Sequence, residues 1–187
     1  MKTKLLFFIC MTIVFSINSE AFNMKGKILK KSFKSSVSKG ARDYLLYIPE
    51  NINKNEKLPV LLFLHGNGER GNDINNVKVN GPLYEVENGR DFPFIIIAPQ
   101  LPDFPKGYIQ KLNEGNWDWS KRFPMERKIF NEKHRYEKQY PPFGWDMMEK
   151  DLVHLINETI KNYNGDTNRI YITGLSYGGY GTWYMLS

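Results

Sequence analysis

The sequence predicts a three-layer α/β fold on a mostly parallel sheet, and three observations carry that expectation. Residues 58–64 and 92–98 are nearly unbroken apolar runs, as strands are when both faces of a sheet are covered. Residues 151–163 place Leu152, Leu155, Ile156, Thr159 and Ile160 at a helical period instead. Residues 169–173 return to a short apolar run, so strand, helix and strand alternate, the pattern of parallel strands joined by right-handed crossovers.

In chain order, residues 26–33 and 43–48 are short apolar-polar runs separated by Ser, Lys and Gly, which predicts an antiparallel hairpin at the sheet's outer edge. A polar, Asn-rich turn over residues 49–57 leads into the strand at 58–64, which ends in His65-Gly66. The strand at 92–98 is closed by Pro99. Residues 100–150, rich in Pro, Trp, Tyr and charge, are long for a connection in a compact domain, and a lid-like insertion is expected at about 101–145. Met125, Ile129 and Phe130 could place a short amphipathic helix inside it. The helix over 151–163 stops at Asn164-Gly165, and the strand at 169–173 is read as the third buried one. A helix starting in small residues follows.

With 187 residues, 41% apolar and 14% aromatic, the chain is sized for one domain with a substantial core. Its first 21 residues are a different object. Lys2 and Lys4 precede an apolar run over residues 5–17, and Ser19-Glu20-Ala21 offers small residues for cleavage, which predicts a secretory signal peptide and a mature domain of residues 22–187. A membrane anchor is the alternative, but the run is shorter than the roughly 20 residues needed to cross a bilayer, so no stable insertion is expected once the signal is cut. The expected location is secreted or periplasmic. Cys10, the one cysteine, leaves with the signal, which excludes disulfides, a thiol nucleophile and thiolate metal sites in the mature chain. The net charge of +6 does not argue for nucleic acid, because the lysines are scattered among acids apart from a cluster at Lys25, Lys27, Lys30, Lys31, Lys34 and Lys39 that suits solvated edge strands.

The chemistry is concentrated in two motifs. Gly174-Leu175-Ser176-Tyr177-Gly178, set between the strand at 169–173 and a helix start, reads as a nucleophile elbow, a sharp turn that presents the serine hydroxyl. A serine hydroxyl needs a base to take its proton and an acid to orient that base, and in such enzymes both follow the serine. No Asp, Glu or His follows Ser176, so acid and base are expected beyond Ser187, and the fragment as it stands is expected to be inactive or nearly so.

The second motif, His65-Gly66-Asn67-Gly68-Glu69-Arg70-Gly71, follows the strand at 58–64, and its glycines leave amides unshielded as an oxyanion hole requires. The backbone N–H groups of Asn67 and Tyr177 are the expected donors. His65 is expected to pin this turn rather than act as base, His154 to lie on a helix surface or boundary, and His134 to lie in a charged segment. Glu69 and Arg70 could hold a substrate carboxylate or sugar hydroxyl, or brace the turn. Trp117 and Trp119 could offer a flat face to a sugar or aromatic acyl group, or anchor the insertion. No metal site and no cofactor is expected.

These motifs, with Gly81-Pro82, the segment from Asp91 through Gln100, and Arg169 through Gly179, resemble the N-terminal part of an α/β-hydrolase. The similarity is to secreted esterases and predicted peptidases whose loop reads H-G-x-G-E-R-G, including polyhydroxybutyrate depolymerase-like and feruloyl or acetylxylan esterase-like proteins. It extends from about Asp43 onward. The resemblance implies a three-layer sandwich whose C-terminal strands are missing here, and a cofactor-free transfer of an acyl group to water through an acyl-serine. Ser176 matches the nucleophile, and Asn67 and Tyr177 match the oxyanion positions. The expected substrate is a small-molecule or polysaccharide ester, for instance an acylated carbohydrate. The alternatives are a serine peptidase of prolyl-oligopeptidase-like type and a non-catalytic glycan-binding relic.

Overall fold

A computed structural model describes residues 26–38, 40–50, 56–104, 106 and 144–186. The predicted signal segment, His134, and the predicted substrate-contact residues Trp117 and Trp119 lie outside the described residues.

Among the described residues, five strands form one mixed sheet: β1 (Lys27–Lys34), β2 (Ala41–Ile48), β3 (Leu58–Leu64), β4 (Ile95–Pro99) and β5 (Gly165–Gly174), in the spatial order β1-β2-β4-β3-β5. β1 and β2 make the predicted antiparallel hairpin, and β2 runs antiparallel to β4. β4, β3 and β5 are mutually parallel. The helices described with them are α1 (Pro82–Glu87), α2 (Glu149–Asn162) and α3 (Tyr177–Leu186).

The alternation of side chains along each strand divides the core in two. Tyr44, Leu46, Val60, Leu62, Leu64, Ile95 and Ile97 face one cluster, completed by Leu152 and Leu155 of α2 and by Trp145. Leu45, Tyr47, Phe63, Ile96 and Ala98 face the other, completed by Leu83 of α1. Helices thus cover both faces, which is why β3 and β4 read as continuous apolar runs. β1, which carries four lysines, pairs with β2 alone among the described strands.

α2 follows the predicted period, with Leu152, Leu155 and Thr159 buried, acids Glu149 and Asp151 in its first turn and Lys161 in its last, all matched to the helix dipole. Asn164, at φ 55°, ends it in the left-handed region, as a stop residue should. Asp151 is also a tie across the molecule. It is 3% exposed and accepts hydrogen bonds from the Ser35 hydroxyl at 2.6 Å and the Ser36 N–H at 2.7 Å, which fixes α2 against the β1–β2 turn.

Three sequence expectations need correction. β4 begins at Ile95, later than the predicted 92, and includes Pro99, which pairs with Tyr44 of β2 instead of closing the strand. β5 begins at Gly165, ahead of the predicted 169, because Gly165 pairs with Leu58 across a bulge that the apolar run does not reveal. β5 is also not buried on both sides. It is an outer strand of the sheet among the described residues, with Ile170 41% and Tyr171 56% exposed. The span read as an insertion is anchored at both ends, since Leu101 and Trp145 are each only 1% exposed. Among the described residues no helix is long and apolar enough to cross a membrane.

Candidate active site

The sheet order itself locates a site. The chain leaves β3 for β4 on one side, and after α2 returns as β5 on the other side of β3. The loops that follow β3 and β5 therefore diverge to opposite faces and leave a crevice at the strands' C-terminal ends, the topological switch point of an open α/β sheet. Both sequence motifs lie there. Leu64 and Gly174 are in register as the last residues of their strands, and the Leu175 N–H donates to the Leu64 carbonyl at 3.0 Å.

Ser176 sits in the turn between β5 and α3 with φ 50°, in the left-handed region that L-residues avoid at a cost of about 1–2 kcal/mol. The turn is closed by the Gly178 N–H to the Leu175 carbonyl at 2.7 Å and the Gly179 N–H to the Ser176 carbonyl at 2.9 Å. Its sharpness rests on two glycines in mutual contact: a Cβ on Gly174 would lie 2.1 Å from the Gly178 carbonyl. Ser176 is exposed at the tip. Strain held at an exposed polar residue by a rigid surround is characteristic of functional positions.

The loop after β3 comes up beside this turn. A Cβ on Gly66 would lie 3.6 Å from Ser176 Cβ and 3.5 Å from the Leu175 carbonyl oxygen, so the two motifs are in contact at that point. Asn67 is the first residue of a 3-10 turn, Asn67–Glu69, and Tyr177 is the first residue of α3. N–H groups at the first position of a helical segment have no partner within it and point outward with a partial positive charge. The structure thus brings Ser176, Asn67 and Tyr177 to one end of the sheet.

No protein-family model matches the chain, and no curated protein does. Solved structures do. A thermostable esterase is similar at 31% identity with a TM-score of 0.50, over 85% of this chain and 37% of that one. A feruloyl esterase module from Clostridium thermocellum, complexed with sinapinate, is similar at 16% identity with a TM-score of 0.51, over 86% of this chain and 49% of that one. A bacterial heroin esterase is similar at 15% identity with a TM-score of 0.50, over 86% of this chain and 38% of that one. The fold is that of an α/β-hydrolase. The chain spans less than half the length of these α/β-hydrolase structures.

In this α/β-hydrolase fold the loop after β3 is clamped from several directions. His65 is 1% exposed, and its Nε2 accepts the Leu101 N–H at 2.9 Å, so the ring proton sits on Nδ1, 2.5 Å from the Gly66 carbonyl oxygen. Both nitrogens are thus engaged, and the lone pair a general base would use is spent on a backbone amide. The predicted pinning role fits this geometry. Trp145 adds a third contact, its indole N–H donating to the His65 carbonyl at 3.3 Å with the rings edge to face. Buried Gln100 donates to the carbonyls of Glu69 and Asp73, both at 2.8 Å. Arg42 reaches the Gly71 carbonyl at 2.9 Å and the Gln100 carbonyl at 3.0 Å. Glu69 accepts from Asn80 at 2.8 Å, as a brace would.

Sequence reasoning misses Trp145, Gln100 and Arg42. The cues it offers for Gln100 are a place at the end of an apolar strand and at the end of the segment, from Asp91, that carries the family resemblance. Asp146, also missed, lines a shallow pocket with Trp145, Tyr177, Tyr180 and Tyr184, and burial holds its carboxyl above the ordinary carboxylate range. His154 is exposed on α2 and lines a separate groove with Lys31, Tyr44 and Tyr163.

The state of His65 makes stability pH-dependent. Burial, reinforced by the positive charges of Arg70 and Arg42, lowers its pKa from 6.5 to about 4 against the opposing pull of the Gly66 carbonyl and Glu69. Between those values the unfolded chain binds a proton that the folded chain refuses. The contribution is therefore complete above pH 6.5 and is lost as pH falls towards and through about 4. The loss approaches about 3 kcal/mol. Urea unfolding at pH 7 and pH 4.5 should show it in the wild type, whereas His65→Gln, which cannot titrate, should lose less stability over the same interval. Equal losses would contradict a neutral His65.

Proposed function

We propose that this chain is part of a secreted serine hydrolase that cleaves carboxylic esters through an acyl-serine intermediate. The observation that carries the reading is the exposed Ser176 at φ 50°, closed in by Gly174 and Gly178 and facing the turn that begins at Gly66. In the proposed reaction Ser176 Oγ attacks the ester carbonyl and gives its proton to a base, and the oxygen that becomes negative is met by the N–H groups of Asn67 and Tyr177. Collapse expels the alcohol, which takes up that proton. Water then repeats the sequence on the acyl-serine and releases the acid. Neither His65, whose nitrogens are engaged, nor exposed His154 is assigned the base.

The 31% identity to a thermostable esterase supports an ester over an amide as the bond attacked. The feruloyl esterase module, whose complex holds the aromatic acid sinapinate, extends the reading to aromatic acyl groups on an extracellular carbohydrate, with Trp117 and Trp119 as substrate contacts. Secretion rests on residues 1–21.

The test uses the complete protein as its native host produces it. It should begin at Phe22, hydrolyse p-nitrophenyl acetate and a feruloylated sugar, and leave p-nitroanilide peptides intact. Turnover of peptides alone would replace the esterase reading with a peptidase, and turnover of neither would remove the hydrolase reading.

A further inference from the structure

We propose that Arg70 is a positioning residue that sets the spacing between the two oxyanion amides; the inference rests on the hydrolase reading and goes beyond it. Arg70 follows the Asn67–Glu69 turn directly and is 7% exposed. Its Nε donates to the Asn67 side-chain oxygen at 2.8 Å. Its guanidinium carbon lies 5.2 Å from the centroid of the Tyr177 ring. One cation therefore touches the side chains of both residues whose backbone amides are assigned to the developing oxyanion.

The same group is fixed from a third direction. Nη1 donates to the Pro102 carbonyl at 2.9 Å, and the Phe104 ring centroid is 4.0 Å from the guanidinium carbon, so the segment after β4 supports it from beneath. A guanidinium suits this because it is planar, permanently charged, and able to bond along its edge while stacking on its faces. The ammonium of lysine is a point charge on a flexible stem and cannot do both at once. The consequence is geometric. The Asn67 and Tyr177 amides belong to loops that follow different strands, and a donor pair works only when both point to the one position the oxyanion will occupy. Displacements of about 1 Å at such sites cost on the order of 100-fold in rate. Arg70 links the two loops through their side chains and does not itself occupy the amides. Its positive charge adds to the field they present.

The experiment is a comparison of Arg70→Lys with wild type in the complete protein, using p-nitrophenyl acetate and an ester that carries a free carboxylate, together with inhibition by phenylboronic acid, whose tetrahedral serine adduct needs the same donors. The expected result is a kcat lower by about 10-fold to 100-fold on both esters, KM within about twofold of wild type, and a parallel loss of boronate affinity. Asn67→Ala keeps the amide but removes the side chain Arg70 holds. It should lower kcat in the same direction and combine with Arg70→Lys less than additively. Should Arg70→Lys not fold, Asn67→Ala with the boronate measurement carries the test alone.

An unchanged kcat and boronate affinity in both variants would overturn the proposal and leave the hydrolase reading standing. A rise in KM confined to the carboxylate ester would overturn it in favour of substrate binding. If Ser176→Ala retains wild-type turnover, the hydrolase reading fails first and this proposal with it.

Discussion

Replacing Ser176 with glycine is expected to abolish ester turnover and at the same time make the protein harder to unfold. The two effects have separate causes in one residue. The hydroxyl is the proposed nucleophile, and removal of such a group from a serine hydrolase costs on the order of 10⁴-fold or more in kcat. The backbone at φ 50° disfavours any residue with a Cβ, by about 1–2 kcal/mol. Glycine removes that strain, and its greater freedom in the unfolded chain returns about 0.5–1 kcal/mol of the gain. A net stabilisation of roughly 0.5–1 kcal/mol should remain, visible as a rise of about 2 °C in Tm. Ser176→Ala separates the causes, because it removes the hydroxyl and keeps the strained backbone: equal loss of turnover, no gain in Tm. The pair is measured by p-nitrophenyl acetate hydrolysis and thermal unfolding of the complete protein. If Ser176→Gly retained turnover within about tenfold of wild type, Ser176 would be a turn residue and the proposed chemistry would have no nucleophile.

The motif by itself implies this pairing of exposure and strain. Gly-x-Ser-x-Gly after an apolar strand calls for a residue forced into an unfavourable conformation, and the positive φ at Ser176 is that conformation. β2, β3, β4 and α2 are legible in the sequence for a related reason. β2 shows as a short apolar-polar run, β3 and β4 as unbroken apolar runs and α2 as a helical period, so in each case a local window contains the signal. α1 is not legible: it has six residues and one buried side chain, Leu83, too short for a period to show. The first residues of β5 are hidden by Asp166, Thr167 and Asn168, which read as a turn and lie in the irregularity between the Leu58–Gly165 and Val60–Ile170 pairs. The support of the candidate site is the least legible part. His65 belongs to the loop motif, but Gln100, Arg42 and Trp145 come from three separate places in the chain, and their hydrogen bonds to that one loop leave no pattern in sequence. The motif fixes which residues stand at the site, and residues remote from it fix where they stand.

The largest stability effect is expected in the first turn of α3, where adjacent glycines should respond with opposite signs. A Cβ on Gly178 would lie 1.8 Å from the Leu64 carbonyl oxygen, 2.5 Å from its carbon and 2.8 Å from the His65 carbonyl oxygen. All three are backbone atoms at the end of a central strand, so no side-chain rotation relieves the overlap. Either α3 moves off the sheet or the end of β3 moves, and each breaks the close approach that holds Ser176 beside the Gly66 turn. Gly178→Ala should cost on the order of 3–5 kcal/mol, at the upper end of overpacking effects. A Cβ on Gly179 would meet only the Gly174 carbonyl oxygen at 3.8 Å, an ordinary contact, and its backbone is helical. Gly179→Ala should therefore stabilise by up to about 1 kcal/mol through helix propensity. Urea midpoints for the two variants decide the matter, and a Gly178→Ala protein within about 1 kcal/mol of wild type would mean that α3 does not start against the Leu64 carbonyl. Alanine is the better helix former at both positions, so propensity alone predicts the same sign for each. The opposite signs come from packing, and they place the tight contact at Gly178, the last residue of the G-x-S-x-G motif.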